Sequence, residues 1–159
     1  MEDQLASAIR LRQGGQLEEA RELLLKLVAA QPDDPRVSYQ CAWVHDALGL
    51  EREAVPFYMR AIDSGLAGED LAGALLGLGS TYRTLGEYQL AIDTLRRGIA
   101  AFPSDRSFEP FLAMALYNVG QHAEAAELLL RALAETTADD SIKRYQRAIL
   151  FYADKLGQT

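Results

Sequence analysis

Apolar residues recur at intervals of three and four along the chain, as in Leu75, Leu78, Gly79, Tyr82 and Leu85. That period predicts amphipathic helices rather than strands. The helical stretches are punctuated by glycines: Gly15, Gly49, Gly86, Gly120 and Gly157 are separated by 34, 37, 34 and 37 residues. Each longer gap holds a turn-like segment with room for three extra residues, at 63–70 and 136–141. The spacing predicts four helix-turn-helix units over 1–34, 35–68, 72–105 and 106–139, with the aligned glycine at position 15 of each. In the remaining segment, 140–159, Ile142, Tyr145, Ile149, Tyr152 and Leu156 form one apolar stripe. That stripe predicts a capping helix over the exposed end of the stack, with Gly157 at the turn position of an aborted fifth unit.

The aligned positions have physical roles. Position 8 is always small (Ala8, Ala42, Gly79, Ala113) and position 20 always alanine (Ala20, Ala54, Ala91, Ala125). Antiparallel helices approach closely only where facing side chains are small. Position 24 is large and apolar, Leu24, Tyr58, Leu95 and Leu129, and fills the space beside that contact. Position 27 is Leu27, Ala61, Gly98 and Ala132. The glycine at 15 suits a left-handed residue after a helix C-terminus. Pro32 and Pro103 end the second helices of their units. Pro56 falls near the start of a second helix, where a missing N–H costs least. Asp33-Asp34 and Asp139-Asp140 read as N-terminal caps. Gly73 and Gly77 interrupt a first helix; either a neighbour approaches closely there or the stack tolerates them.

Four such units in register resemble the tetratricopeptide repeat. The third unit matches best, through Leu78-Gly79, Tyr82, Gly86-Glu87-Tyr88, Ala91 and Pro103. The family's usual tryptophan at position 4 is replaced by Gln4, Ser38, Leu75 and Glu109. The resemblance covers 1–139 and implies an all-α, right-handed α-solenoid of four repeats plus the capping helix. At the level of the whole chain the sequence is similar to a small bacterial tetratricopeptide-repeat family. What that implies is dimerisation and no assigned enzymatic activity.

Composition narrows the classes. Hydrophobic residues make up 49% and charged residues 25%, the balance of a folded domain. No apolar run reaches the length of a membrane span. The start, Met1-Glu2-Asp3, lacks the basic-then-apolar pattern of a secretory signal, so a cytoplasmic location is expected and no membrane partner. The formal net charge of -7 disfavours nucleic acid as a partner. From Ser141 onward the charge reverses: Lys143, Arg144, Arg147 and Lys155 face only Asp154, leaving -10 for the rest. This basic end either steers an anionic partner or is a solvated face.

No catalytic, cofactor or metal site emerges. The lone Cys41 reads as a reactive thiol or, more simply, a small apolar filler. His45-Asp46 invites a metal-hydrolase reading, but the other histidine, His122, lies more than two repeats away and further ligands are missing. By its register His45 is a semi-buried helix residue and His122 a packing residue beside a turn.

The resemblance also indicates a binding face. In the family, positions 2, 5, 9, 12 and 13 of the first helices line a concave groove. Position 5 reads Leu5, Tyr39, Leu76 and Pro110, continued by Arg147; position 9 reads Ile9, Trp43, Ser80 and Met114, continued by Phe151. An apolar strip of this kind marks an interaction surface for a protein or peptide segment. Trp43 and Tyr39 are its candidate anchors, and Arg12, Asp46 and Arg83 its rim charges. Two other readings stand beside it: neighbouring repeats cover these side chains, or a homodimer buries them. The family's carboxylate clamp for chaperone C-termini is missing, since its positions carry Leu5, Ile9, Gln40, Gly73 and Gly77.

Overall fold

A computed structural model describes residues 2–158, all of whose regular elements are helices. They divide into two compact units, one through Glu87 and one from Tyr88. The division falls in the turn after Gly86, inside the third unit of the sequence periodicity.

The first unit contains α1 (Glu2–Gln13), α2 (Leu17–Ala30), α3 (Pro35–Ala47), α4 (Glu51–Asp63) and α5 (Gly68–Thr84), each packed on its neighbours in the chain. Alternate helices also touch: α1 meets α3 and α3 meets α5. The glycine turns work as the spacing predicts. Gly15 and Gly49 have φ of 81° and 73°, and the following amides bond back five residues, Gln16 N to Leu11 O and Leu50 N to His45 O. A Cβ would strain that left-handed backbone. Asp34 caps α3, its carboxylate accepting from the Arg36 and Val37 amides, with Pro35 at the first helical position. Ala8, Ala20, Ala42 and Ala54 are fully buried where helices cross. Around them Leu5, Leu24, Leu27, Val28, Val37, Cys41 and Val44 form a continuous core. Each of the larger aliphatic side chains contributes about 1.5–3 kcal/mol on burial.

Three details differ from the sequence expectation. Residues 68–70, placed in a turn, form the first turn of α5. Pro56 lies deeper in α4 than the free N–H positions, because the Ala54 amide already bonds Leu50 O; the proline removes an interior bond. His45 is buried, not semi-buried. Its Nδ1 lies 2.7 Å from Cys41 O, and Arg21 Nε donates to its Nε2 at 3.4 Å.

The second unit contains α6 (Tyr88–Ala101), α7 (Phe108–Asn118), α8 (His122–Thr136), α9 (Asp140–Lys143) and α10 (Gln146–Tyr152). α7 packs on α6 and α8, and α10 packs on α8. Phe108 is fully buried against Gly98, where a Cβ would lie 2.5 Å from Cδ1 of the ring. The single helix expected beyond residue 140 is two short ones. The chain tightens between them, the Tyr145 amide bonding Ile142 O three residues back, while Gln146 Nε2 donates to Ala134 O at the end of α8. Asp139 caps α9 through the Ser141 and Ile142 amides. Gly157 does not adopt the left-handed backbone of the other turn glycines.

The broken end leaves position 24 uncovered. Leu24, Tyr58 and Leu95 are buried there, but Leu129 is 47% exposed. Tyr145, Tyr152 and Leu156 of the expected apolar stripe are exposed as well.

Candidate functional site

In the first unit the candidate side chains come from one side of α1, α3 and α5, and they separate into two groups. Leu5 and Tyr39 are interior: Leu5 belongs to the core, and Tyr39 is only 6% exposed. Ile9, Arg12, Asp46, Leu76 and Arg83 are half-buried, and Trp43 is 41% exposed. In the second unit Pro110 is half-buried, while Met114 and Phe151 are exposed at 43% and 57%.

The burial of Tyr39 has a local cause. Gly73 of α5 has no side chain where the Tyr39 hydroxyl comes closest, and an added Cβ there would also sit 3.1 Å from the ring carbon Cζ. Gly77, one turn on, leaves the same gap for Tyr58, whose Cζ would be 2.6 Å from an added Cβ. The two glycines therefore seat two tyrosine rings, whose centroids lie 6.4 Å apart. The open choice at these positions resolves to close approach.

Above Tyr39 stands Trp43, their ring centroids 5.8 Å apart. The Arg12 guanidinium lies over the Trp43 ring at 3.5 Å, and its Nε donates to Gln40 Oε1 at 3.2 Å. A cation held against an indole face is attracted by the ring quadrupole. Burial lowers the Arg12 pKa, with Tyr39 and Tyr58 opposing the shift. Arg12 thus covers one face of the indole, and Trp43 as a whole stays 41% exposed.

The Asp46 charge is used inside the unit. Tyr58 Oη donates to its Oδ2 at 2.8 Å and Thr81 Oγ1 to the same oxygen at 2.7 Å. Burial raises the Asp46 pKa above its ordinary value, the bonds from Thr81 and Tyr58 pulling the other way. Burial and Asp46 together raise that of Tyr58. Asp46 thus ties α3 to α4 and α5, a part different from the rim charge the register suggests. Gln40, Tyr58 and Thr81 are the members of this face that sequence reasoning missed. One signal was present: Tyr58 stands where the other units have leucine, and a buried phenol needs an acceptor.

The catalytic alternatives find no geometry. His45 bonds the Cys41 carbonyl and stacks on Phe57 at 5.0 Å, whereas Asp46 turns to Tyr58 and Thr81, so the pair does not converge. Among the described residues no group of three or more His, Cys, Asp or Glu side chains could hold a metal ion. Burial pushes the Cys41 thiol up to about 12, far from a reactive thiolate. Among the described residues no helix is long and apolar enough to cross a membrane.

A family profile described as "Tetratrico peptide repeat" matches residues 35–156. Aspartyl/asparaginyl beta-hydroxylase of Mus musculus is 27% identical over 98% of the chain. The chain spans only about a fifth of that relative's length, 22%, and the same holds for the Homo sapiens protein. Among solved structures, MamA of Desulfovibrio magneticus RS-1 is similar with a TM-score of 0.76 at 20% identity, over 96% of this chain and 85% of that one. A kinesin light chain repeat protein of Podosopora anserina gives 0.73 at 25% identity, over 96% and 84%. YrrB, described as a repeat protein with an unusual peptide-binding site, gives 0.74 at 21% identity, over 98% and 77%.

Proposed function

Because the chain belongs to the tetratricopeptide-repeat family, whose fold is a protein–protein interaction scaffold and not generally an enzyme, we propose that its first unit binds a polypeptide segment on the face built around Trp43. One observation carries this reading. Trp43 remains 41% exposed although Arg12 and Tyr39 contact it, so part of a braced indole is offered to solvent. Ile9 and Leu76 supply half-buried apolar area on the same helices. Leu5 and Tyr39 serve as the supporting layer beneath, not as contacts. That a structural neighbour of this fold is described as having a peptide-binding site is consistent with such a role. The polypeptide chemistry that fits is a large apolar side chain laid on the indole. Pro110, Met114 and Phe151 are the corresponding candidates in the second unit.

Trp43 is the chain's one tryptophan, so its emission reports directly on this face. The test is co-purification from the native source with wild type and Trp43→Ala, then titration of the captured protein while following tryptophan emission. Removal of an aromatic anchor at a binding centre costs about 2 kcal/mol or more, roughly 30-fold in affinity. Emission that shifts on binding, and capture lost in Trp43→Ala, support the reading. Unchanged capture by Trp43→Ala removes it.

Self-association is a second reading, favoured by Leu129 and Leu133, which lie one turn apart on α8 and are both exposed. Light scattering at micromolar concentration tests it: a dimer that Leu129→Gln with Leu133→Gln splits supports it, and a monomer rules it out.

A further inference from the structure

The last helix carries a second surface with a chemistry of its own. Tyr145, Ala148, Phe151 and Tyr152 line a recess of about 420 Å³ together with Arg144 and Arg147. The three aromatic side chains are each more than half exposed. Phe151 and Tyr152 meet edge to face at 5.1 Å, and Lys155 Nζ lies 4.4 Å from the Phe151 ring centre. Phe151 and Tyr152 thus brace one another, and none of the three rings is covered by the described chain.

Lys155 is spent on Asp154 at 2.7 Å, but the two guanidiniums that line the recess are not. In the same unit Arg96 holds Glu124, Arg131 holds Glu127, and Arg106 holds both Glu109 and Glu135. Among the described residues Arg144 and Arg147 make no ion pair, and they flank the opening on α10 and the turn before it. Unpaired guanidiniums beside exposed aromatic faces attract carboxylates through charge and an apolar group through burial.

We infer that this recess binds an acidic peptide segment, in which one large apolar side chain enters among Tyr145, Phe151 and Tyr152 while flanking carboxylates meet Arg144 and Arg147. An anionic lipid surface would also meet basic and aromatic residues. One feature favours the peptide: the patch is small, lined by six residues of 144–152 with two guanidiniums, whereas adsorption to an anionic bilayer draws on a wider cluster of basic side chains. The inference stands apart from the Trp43 face, on other residues in the other unit.

The test is fluorescence anisotropy with the full chain and a fluorescein-labelled peptide of core sequence Asp-Glu-Phe-Glu-Asp. Two control peptides carry Asn and Gln for the acids, or Ala for Phe. Wild type binds the acidic aromatic peptide, and each control weakens binding by about tenfold or more. Arg144→Gln with Arg147→Gln, and separately Phe151→Ala, lose a comparable factor. Arg52→Gln, at an exposed position of the first unit, stays within about twofold of wild type. Binding falls as salt rises from about 50 to 300 mM, since the charges are exposed. All changed residues are exposed, and circular dichroism checks that each variant folds. The inference is overturned by no binding at about 1 mM protein, by equal binding of the amide peptide, or by loss through Trp43→Ala in place of the arginine pair. Two further results overturn it: phosphatidylserine vesicles retained through Arg144 and Arg147 without peptide binding, and a wild-type dimer that the arginine changes split, which makes the recess a contact between copies.

Discussion

The two compact units are built from the same periodic sequence, yet they finish differently. In the first, each helix packs on its neighbours in the chain and much of the polar chemistry is taken up internally: Asp46 by Tyr58 and Thr81, His45 by the Cys41 carbonyl, Arg12 by Trp43 and Gln40. Trp43 is the main aromatic surface it leaves open. In the second, Met114, Tyr117, Leu129, Leu133, Tyr145, Phe151 and Tyr152 all stand exposed, and α9 and α10 bury almost nothing of their own. A repeat position therefore fixes where a side chain points, and the following helix decides whether it is covered. A solenoid's last unit is chemically unlike the others for that reason.

The largest expected effect tests this directly along one repeat position. Leu24→Ala and Leu95→Ala empty fully buried sites and should each cost about 2–5 kcal/mol in urea denaturation. Leu129→Ala, at the same position of the last repeat, should cost under about 0.5 kcal/mol. If Leu129→Ala cost as much as the other two, the end of the second unit would be covered in solution and the contrast would fail.

What was legible in the sequence follows the same division. The turn glycines could be read because a left-handed residue after a helix excludes most side chains, and Gly120 shows a φ of 80° in the second unit much as Gly15, Gly49 and Gly86 do, at 81°, 73° and 80°, in the first. The small residues at positions 8 and 20 were legible because helix crossings permit little else there. The burial of Tyr39 was not legible from its own register, which places it on the open face. It depends on a missing side chain in another helix, at Gly73, and no local pattern encodes that pairing. The break between α9 and α10 was illegible too, since neither glycine nor proline marks residues 144–145. It is accompanied by a tertiary bond from Gln146 to the end of α8.

The next effect sharpens the account of how the first unit closes. Gly73→Ala drives a methyl group into the Tyr39 ring and should cost about 1–3 kcal/mol. The atom met first is the Tyr39 hydroxyl, so Tyr39→Phe should relieve part of that cost. A double-mutant cycle should show coupling of about 0.5 kcal/mol or more. Additive costs would mean that the glycine serves α5 itself and does not seat the tyrosine.

The smallest effect is read as a direction with pH. The folded-state pKa of Asp46 lies above its ordinary value of 3.8, mainly through burial. A carboxyl group shifted upward contributes stability that is complete below the unfolded pKa and is lost as pH rises through the folded one. At neutral pH the wild type therefore carries the cost of a half-buried charge, offset in part by the bonds from Tyr58 and Thr81. Asp46→Asn does not titrate, and its amide can still accept a bond from one hydroxyl and donate to the other. The melting temperature of Asp46→Asn minus that of wild type should be highest near neutrality and fall steadily as pH is lowered towards 3.8. A difference that grows on acidification would show the opposite balance, with the accepted bonds outweighing burial. The first unit's sealed polar network would then favour the ionised carboxylate, and acid would loosen the helices that Asp46 joins.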